Sequence, residues 1–138
     1  MPFNELDAKL SASPQLTPND VAAAAMQGYR TIIDLRPDGE EPGQPSAATI
    51  EAVAREHGLA FVHIPVVPGE VSEAQVRIMN RALDEKPTPA LGYCRTGSRV
   101  ATLWALALAG EADTDTLINT ARDAGYDIEK LRPRLQPA

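Results

Sequence analysis

The only cysteine of the sequence lies where a strand is expected to lead into a helix. Cys94 ends the apolar run PALGYC and is followed by the residues RTGSR and then by the apolar stretch VATLWALALA. Backbone amides of a loop that enters a helix point inward, and the helix dipole adds positive potential, so such a loop holds an anion. The same field favours the thiolate, which is the nucleophilic form of cysteine. This loop therefore predicts a nucleophilic cysteine beside an anion-binding site.

The residues around Cys94 agree with this prediction. Arg95 and Arg99 bring positive charge, and Gly97 permits a tight backbone path. No acidic residue occurs between positions 86 and 110, although the net charge of the chain is −6. The alternative is a buried cysteine that ends a core strand beside two solvated arginines. The spacing Cys-x-x-Gly-x-Arg at a strand-to-helix junction favours the functional interpretation.

Four short apolar segments, separated by helical patterns, predict the strands that position this loop. The strands are expected at residues 9–12, 30–35, 60–65 and 89–94. Helices are expected at 18–27, 46–57, 72–86, 100–109, 113–124 and 127–135. Four of them have a capping residue at their start: Thr17, Ser46, Ser72 and Asp113, for the helices at 18–27, 46–57, 72–86 and 113–124. Strands that alternate with helices form a parallel sheet with helices on both faces. Ligands bind beyond the carboxyl ends of such strands, so the loops at 36–45, 66–71 and 95–99 should meet there.

Composition excludes several other classes of protein. The length predicts one domain, residues 1–138, and the acidic balance argues against nucleic-acid binding. One cysteine and two histidines exclude a disulfide framework and argue against a metal site. No apolar run reaches the ~20 residues of a membrane span, and the first residues, MPFNELDAKL, lack the apolar core of a signal peptide. A soluble cytoplasmic protein without a cofactor or a membrane partner is therefore expected.

The segment CRTGSR resembles the active-site loops of two related groups of enzymes, the rhodanese sulfurtransferases and the cysteine-dependent phosphatases. The phosphatase signature is Cys-x5-Arg, whereas here four residues separate Cys94 from Arg99. The shorter loop is similar to that of rhodaneses, which closes around a persulfide sulfur rather than a tetrahedral phosphoryl group. The resemblance thus leaves two chemistries open at the same cysteine.

Four longer segments resemble a narrower family, the bacterial phosphatase-like domain also called beta-lactamase-hydrolase-like. They are TIIDLRPDGEEPGQPS, HIPVVPGEVSEAQV, GYCRTGSRVATLWALA and ARDAGYDIEKL. The resemblance covers about residues 16–135 and implies a dual-specificity-phosphatase-like α/β domain, with a small parallel-rich sheet flanked by helices. Members of this family occur alone or fused to sulfur-oxidising enzymes, so it also implies a partner of that kind.

The resemblance further implies roles for individual residues. Cys94 would become a persulfide or a phosphocysteine, and Arg99 would face the bound anion with its guanidinium. The backbone amides of the loop would cradle that anion, through Arg95, Thr96, Gly97, Ser98 and Arg99. Arg36 and Asp34 belong to the family's strand-end motif, which makes Arg36 a second pocket residue and Asp34 a further candidate.

A phosphatase normally carries an aspartic acid on a mobile loop to protonate the leaving oxygen. The corresponding loop here, residues 65–72, contains no aspartate and only Glu70. Asp38, Glu40 and Glu41 could supply an acid from another loop, although a solvated acidic turn is favoured for them. Sulfur transfer between thiolates needs no acid, because thiolates are good leaving groups.

Sulfur transfer is therefore the leading hypothesis. Cys94 would take a sulfane sulfur from a donor such as glutathione persulfide or thiosulfate and pass it to sulfite, cyanide or a thiol. One alternative is a cysteine-dependent phosphatase in which Glu70 or Asp38 acts as an imperfect acid. Another is a non-catalytic module that binds an anion or a persulfide for a sulfur-oxidising enzyme.

Of three other side chains near the site, His63 and Ser98 could contribute to it, and Tyr93 should not. His63 lies in the predicted strand AFVHIP, where a structural role is favoured over a place in the pocket. Ser98 could donate a hydrogen bond to the thiolate. Tyr93 precedes the nucleophile on a strand and should therefore face away from it, into the core.

Overall fold

Four parallel strands place their carboxyl ends at one edge of a sheet. The computed structural model describes residues 3–136, and within them the strands are β1 (Asn4–Glu5), β2 (Leu10–Ser13), β3 (Thr31–Asp34), β4 (Ala60–His63) and β5 (Ala90–Tyr93). Their order in the sheet is β1-β2-β5-β3-β4. Only β1 is antiparallel among the described strands, pairing Asn4 with Ala12 of β2. The sequence did not predict β1, because two residues carry no detectable alternation.

The first five predicted helices are present within about two residues of their expected bounds, whereas the helix predicted at 127–135 is a 3-10 helix followed by a short α-helix. In the described part of the chain they are α1 (Pro18–Met26), α2 (Ala47–Glu56), α3 (Glu73–Glu85), α4 (Ser98–Leu108), α5 (Thr114–Asp123) and α6 (Arg132–Leu135), with a short 3-10 helix at Glu129–Leu131 before α6. The four predicted caps are confirmed: the side chains of Thr17, Ser46, Ser72 and Asp113 each accept a backbone N–H. Within residues 3–136, α4 differs from these helices, since its N-cap is Gly97 and no side chain caps it.

Two apolar cores lie on opposite faces of the sheet. Alternation along β3 sends Ile32 to the core formed with α1 and α2, and Ile33 to the core formed with α3, α4 and α5. Tyr93 is in the first of these cores and Cys94 in the second, so Tyr93 faces away from the cysteine as predicted. Among residues 3–136, no helix has the length and hydropathy needed to cross a bilayer.

The register of the central strands determines which loops meet. Asp34 at the end of β3 pairs with Tyr93 at the end of β5 and with His63 at the end of β4. The loops that follow these three residues therefore begin side by side. They are the loops at 36–45, 95–99 and 66–71, which carry the predicted site.

Candidate active site

The thiol of Cys94 lies at the base of the loop formed by residues 94–99, hereafter the Cys94 loop. Its side chain is fully buried in the core beneath α4. The backbone N–H of Gly97 donates a hydrogen bond to Sγ across 3.0 Å. An N–H that points at sulfur stabilises negative charge there, so the loop is arranged to hold a thiolate.

The turn of the Cys94 loop requires a glycine. Gly97 has φ +99°, which L side chains rarely adopt, and a Cβ there would collide with the hydroxyl of Tyr126. That hydroxyl accepts a hydrogen bond of 2.9 Å from Asn4 Nδ2 on β1. Burial raises the pKa of Tyr126, and the neighbouring charge of Cys94 acts in the same direction. Tyr126 therefore packs directly on the loop that holds the thiol.

Arg99 is fixed by a carboxylate and a carbonyl. Its Nη1 lies 2.7 Å from Glu40 Oε2 and 2.8 Å from the Val66 carbonyl, and its Nη2 lies 2.9 Å from Glu40 Oε1. A guanidinium has five N–H donors, and three of them are used in these bonds. Within the described residues, one N–H on Nη2 and the N–H of Nε are taken up by neither Glu40 nor Val66, and they can turn toward Cys94 or toward a bound anion.

Glu40 also binds the second buried arginine of the site. Arg36 is 1% exposed, and its Nε donates to Glu40 Oε1 across 2.7 Å. Its Nη1 donates to Gln15 Oε1 at 2.9 Å, and its Nη2 lies 2.9 Å from Glu41 Oε1. One carboxylate thus bridges two guanidinium groups, and this triad of Arg36, Glu40 and Arg99 carries a net positive charge.

The electrostatics keep all three members of the triad ionised. The hydrogen bonds from Arg99 lower the pKa of Glu40 against the opposing effect of burial, and Arg36 lowers it further. Burial by itself would lower the pKa of Arg36 and of Arg99, but hydrogen bonds and neighbouring negative charge raise both. At Arg36 they come from Glu40 and Glu41, and at Arg99 from Glu40 and Cys94. Glu40 is therefore a poor proton donor near neutral pH and acts instead by holding the arginines.

An opening of about 260 Å³ lies above the triad, hereafter the active-site opening. The three loops that were predicted to meet contribute all of its lining residues: Arg36, Glu40, Glu41, Pro68, Arg95 and Arg99. Cys94 itself is fully buried and is not among these lining residues, whereas Arg99, at the other end of the Cys94 loop, is one of them.

The hydroxyl groups of the Cys94 loop bind each other. Thr96 Oγ1 lies 3.0 Å from Ser98 Oγ and also accepts from the Ser98 backbone N–H at 3.3 Å. The hydrogen bond proposed from Ser98 to the thiolate is replaced here by this pair. Both residues are exposed, so their role is to shape the rim of the loop.

Asp34 and His63 lie on the face of the sheet opposite Cys94 and hold the backbone of Arg36. Asp34 Oδ1 accepts from the Arg36 N–H at 2.7 Å, and His63 Nε2 lies 2.9 Å from the Arg36 carbonyl oxygen. Burial raises the pKa of Asp34, and the Arg36 N–H and His63 oppose this shift only in part. Neither side chain lines the active-site opening, so their contribution is to position the turn that carries Arg36.

The other predicted acids lie away from the opening or serve other purposes. Glu70 is exposed on a turn whose backbone N–H bonds to the Val67 carbonyl, and it is not among the lining residues. Asp38 accepts the N–H of Ala47 at 2.8 Å and so holds the start of α2. Glu40, expected in a solvated turn, is instead the centre of the triad. Its spacing of four residues from Arg36 was visible in the sequence, but nothing there indicated its contact with Arg99.

Comparison with known families gives one match that covers most of the chain. The family described as "Beta-lactamase hydrolase-like protein, phosphatase-like domain" matches residues 2–111. The beta-lactamase hydrolase-like protein of Xylella fastidiosa (strain Temecula1) is 33% identical over 130 residues, which are 93% of this chain and 30% of that protein. A protein of the same description from Agrobacterium fabrum is 30% identical over 89% of this chain and 29% of its own length. The chain thus spans under a third of the curated relatives it matches.

Several solved structures of phosphatases have a fold similar to that of this chain. The crystal structure of a candidate phosphatase from Neisseria meningitidis is 37% identical, with a TM-score of 0.89 over 98% of this chain and 96% of that one. Kinase associated phosphatase, with its catalytic-site cysteine replaced by serine, matches with a TM-score of 0.70 over 91% of this chain and 82% of its own, at 16% identity. That identity shows the fold alone. These matches confirm the predicted family and the dual-specificity-phosphatase-like fold, and among the predicted functions they favour the phosphatase.

Proposed function

Because the chain belongs to the phosphatase-like domain family of the beta-lactamase hydrolase-like proteins, we propose that it is a cysteine-dependent phosphatase whose nucleophile is Cys94. The observation that carries the proposal is the pairing of the Cys94 thiol, bonded by the Gly97 N–H, with an Arg99 side chain that has two N–H donors not taken up by Glu40 or Val66. The charge of Cys94 raises the pKa of that guanidinium, as expected for two groups that face each other. Nucleophile and anion ligand thus flank one loop.

The reaction has two steps at the same sulfur. The Cys94 thiolate attacks phosphorus, an S–P bond forms, and the ester P–O bond breaks with its electron pair leaving on oxygen. Water then attacks the phosphocysteine, inorganic phosphate leaves, and the thiolate is restored. The free N–H groups of Arg99 and the amides of the loop stabilise the charge on the phosphoryl oxygens in both steps.

The position of the carboxylates limits the substrates. Two glutamates line the active-site opening: Glu40, which remains ionised between two arginines, and Glu41, whose oxygens lie 2.9 Å from Arg36 Nη2 and 3.5 Å from Arg95 Nε. Glu70 and Asp38 are not among the lining residues. An alkoxide that leaves without a proton is a poor leaving group, whereas a phenolate or a carboxylate leaves readily. We therefore expect the enzyme to act on aryl or acyl phosphates, with a rate that depends steeply on the basicity of the leaving group.

The test is phosphate release from p-nitrophenyl phosphate by the purified chain, together with an intact mass after rapid acid quench. Turnover with a phosphoryl adduct on the wild-type protein, both lost in Cys94→Ser, supports the proposal. Circular dichroism of Cys94→Ser verifies that the variant is folded, so that its loss of turnover is due to the missing thiol. Turnover that survives in Cys94→Ser would overturn it.

Sulfur transfer is a second candidate, favoured by the spacing of the loop. Only four residues separate Cys94 from Arg99, and sulfur transfer needs none of the acids that lie outside the opening. The thiolate would attack the outer sulfur of glutathione persulfide, forming Cys94–S–SH as the glutathione thiolate leaves. Sulfite would then take the outer sulfur as thiosulfate and restore the Cys94 thiolate.

The two candidates differ in what is found on the protein. If sulfur transfer is the activity, brief exposure to glutathione persulfide should add one sulfur atom to Cys94, sulfite should remove it, and the cycle should turn over repeatedly. Modification of Cys94 that is stoichiometric and never turns over would instead favour the third candidate, a binding module for a sulfur-oxidising partner. Adding p-nitrophenyl phosphate to an untreated portion of the same protein, in which the Cys94 thiolate is free, decides for or against the phosphatase.

A further inference from the structure

A second cavity adjoins the active-site opening on the side of the C-terminal helix. It has a volume of about 240 Å³ and shares Arg99 and Pro68 with the opening. Its far wall is formed by Leu131 and by Arg134 of α6. A molecule whose reacting group is held at Arg99 therefore has space beside it for its remaining atoms.

The two spaces differ in charge. The active-site opening is lined by Glu40 and Glu41 as well as by arginines, so its charges largely compensate one another. Among the described residues that line the second cavity there is no carboxylate, and two arginines are present, Arg99 and Arg134. Arg99 is already paired with Glu40 on the side of the opening, so Arg134 is the cation that this cavity offers to a second anionic group of a substrate.

The remaining lining residues suit a short amphiphilic group. Val71, Leu131 and Pro68 offer apolar surface, while Ser98 and Thr102 offer hydroxyls on the side of α4. The volume is below the about 300–1,000 Å³ of pockets that hold drug-sized ligands, so the cavity has room for a small ring or a short chain.

The backbone around Arg134 is held in place, whereas its guanidinium makes only weak contacts that a ligand can replace. The next residue, Leu135, is buried, and its carbonyl accepts a hydrogen bond from Thr114 Oγ1 at 3.2 Å. The guanidinium of Arg134 makes an ion pair of 3.2 Å with the exposed Glu73 and a 3.4 Å contact with the Val71 carbonyl. Exposed ion pairs contribute little free energy, so a substrate carboxylate can compete for Arg134.

We propose that the second cavity is a specificity subsite, which binds a carboxylate borne on the leaving group of the substrate. Arg134 binds that carboxylate, and Val71 and Leu131 contact the short apolar stem that links it to the phosphoryl group. The inference rests on the proposed function in one respect, namely that the reacting group lies at Cys94. It names the substrate class: a small phosphate ester or anhydride with a carboxylate in its leaving group.

The test compares two aryl phosphates of matched leaving ability. They are 4-(carboxymethyl)phenyl phosphate and its neutral methylamide. We expect the wild-type kcat/KM to be roughly tenfold higher for the carboxylate, equivalent to about 1.4 kcal/mol, mainly through KM. Arg134→Gln should reduce this ratio to about one, and Arg134→Lys should restore part of it.

The control is Arg122→Gln, which removes an exposed arginine that bonds to Asn119 and does not line the cavity. It should keep the wild-type ratio, which separates recognition by Arg134 from a change in overall charge. A wild-type ratio near one, or an equal fall in both variants, would overturn the inference.

A binding measurement keeps the subsite testable if neither ester is hydrolysed. In Cys94→Ser, 4-hydroxyphenylacetate should bind with saturable NMR shifts at the amides of Thr102, Leu131 and Arg134, and its neutral amide should bind about tenfold more weakly. Absence of turnover together with this binding would overturn the proposed function and support the subsite. Equal binding of the acid and the amide, or shifts elsewhere, would overturn the subsite itself.

Discussion

Glu40 and Arg99, 59 positions apart in the sequence, form a two-point ion pair with distances of 2.7 and 2.9 Å. The carboxylate lies in the loop after β3, and the guanidinium belongs to the first turn of α4. Because Glu40 uses one edge of the guanidinium, it turns the remaining N–H donors away from itself. The pair therefore fixes the direction in which Arg99 presents its charge.

Replacing Glu40 by glutamine should reduce both stability and activity. The change leaves two buried arginines without their shared counter-ion, and its cost should be about 2–3 kcal/mol in the free energy of unfolding, below the 3–5 kcal/mol of a fully buried pair. We expect kcat/KM for p-nitrophenyl phosphate to fall by about ten- to a hundredfold, because Arg99 loses its fixed orientation.

The matched control for this change is Glu41→Gln. Glu41 lies one residue further along the same loop, is 45% exposed at its side chain, and contacts Arg36 and Arg95 from the solvent side. Urea unfolding and steady-state kinetics on both variants measure the difference. Glu41→Gln should cost no more than about 1 kcal/mol. Equal effects of the two substitutions would show that general charge, rather than the pairing of Glu40, holds the site.

Local sequence patterns predict the Cys94 loop, but they do not predict contacts between residues that are far apart in the sequence. The strand before Cys94 and the helix after it follow from two adjacent apolar runs, and Thr17 and Ser72 are read as caps from their own neighbours. The partnership of Glu40 with Arg99 and the packing of Tyr126 on Gly97 depend on tertiary structure. A solvated turn was therefore expected for Glu40, and no function was assigned to Tyr126.

Two carboxyl groups near the site should shift the pH dependence of stability in opposite directions. The pKa of Glu40 is lowered in the folded protein, so its stabilising contribution is fully present above the ordinary pKa of a glutamate. It is lost as the pH falls toward the folded value. The pKa of Asp34 is raised, so its contribution is present at low pH and is lost as the pH rises through the folded value.

Unfolding free energies from urea titrations between neutral and acidic pH measure both effects. Glu40→Gln should lose less stability on acidification than the wild type, because the ion pair that acid would remove is already missing. Asp34→Asn should lose more, since it lacks the group whose protonation favours the folded state. If the free energy of unfolding changed with pH in the same way for the wild type and both variants, the pKa shifts assigned to Glu40 and Asp34 would be wrong.

Alanine at position 97 should disturb the Cys94 loop beyond the strain of its backbone. Gly97 and Gly28 have similar φ angles, +99° and +96°, so alanine at either position carries a similar cost of about 1–2 kcal/mol. Only at position 97 does the added methyl group meet the Tyr126 hydroxyl, whereas the space at Gly28 is open. The collision should cost a further 1–3 kcal/mol or so, as overpacking does elsewhere.

The activity of the two alanine variants separates the loop from general stability. Gly97→Ala displaces the amide that bonds to Cys94 Sγ, so kcat should fall at least about tenfold, with a smaller effect on KM. Gly28→Ala should retain the wild-type kcat. Urea unfolding and initial rates on both proteins provide the comparison, and a wild-type kcat in Gly97→Ala would show that this amide is not needed.

Lysine at position 99 should abolish most of the activity although it keeps the charge. A lysine ammonium cannot make the two-point contact with Glu40 and at the same time present a planar pair of donors to a phosphoryl group. Removing one such donor elsewhere costs about a hundred- to a thousandfold in kcat, and we expect a loss of that order for Arg99→Lys. The comparison is Arg95→Lys, whose side chain is 66% exposed and lies 3.5 Å from Glu41. It should lower kcat/KM by less than about threefold.

Equal losses in both variants would mean that the opening attracts anions by charge alone. An active Arg99→Lys would show that Arg99 is not the ligand of the anion.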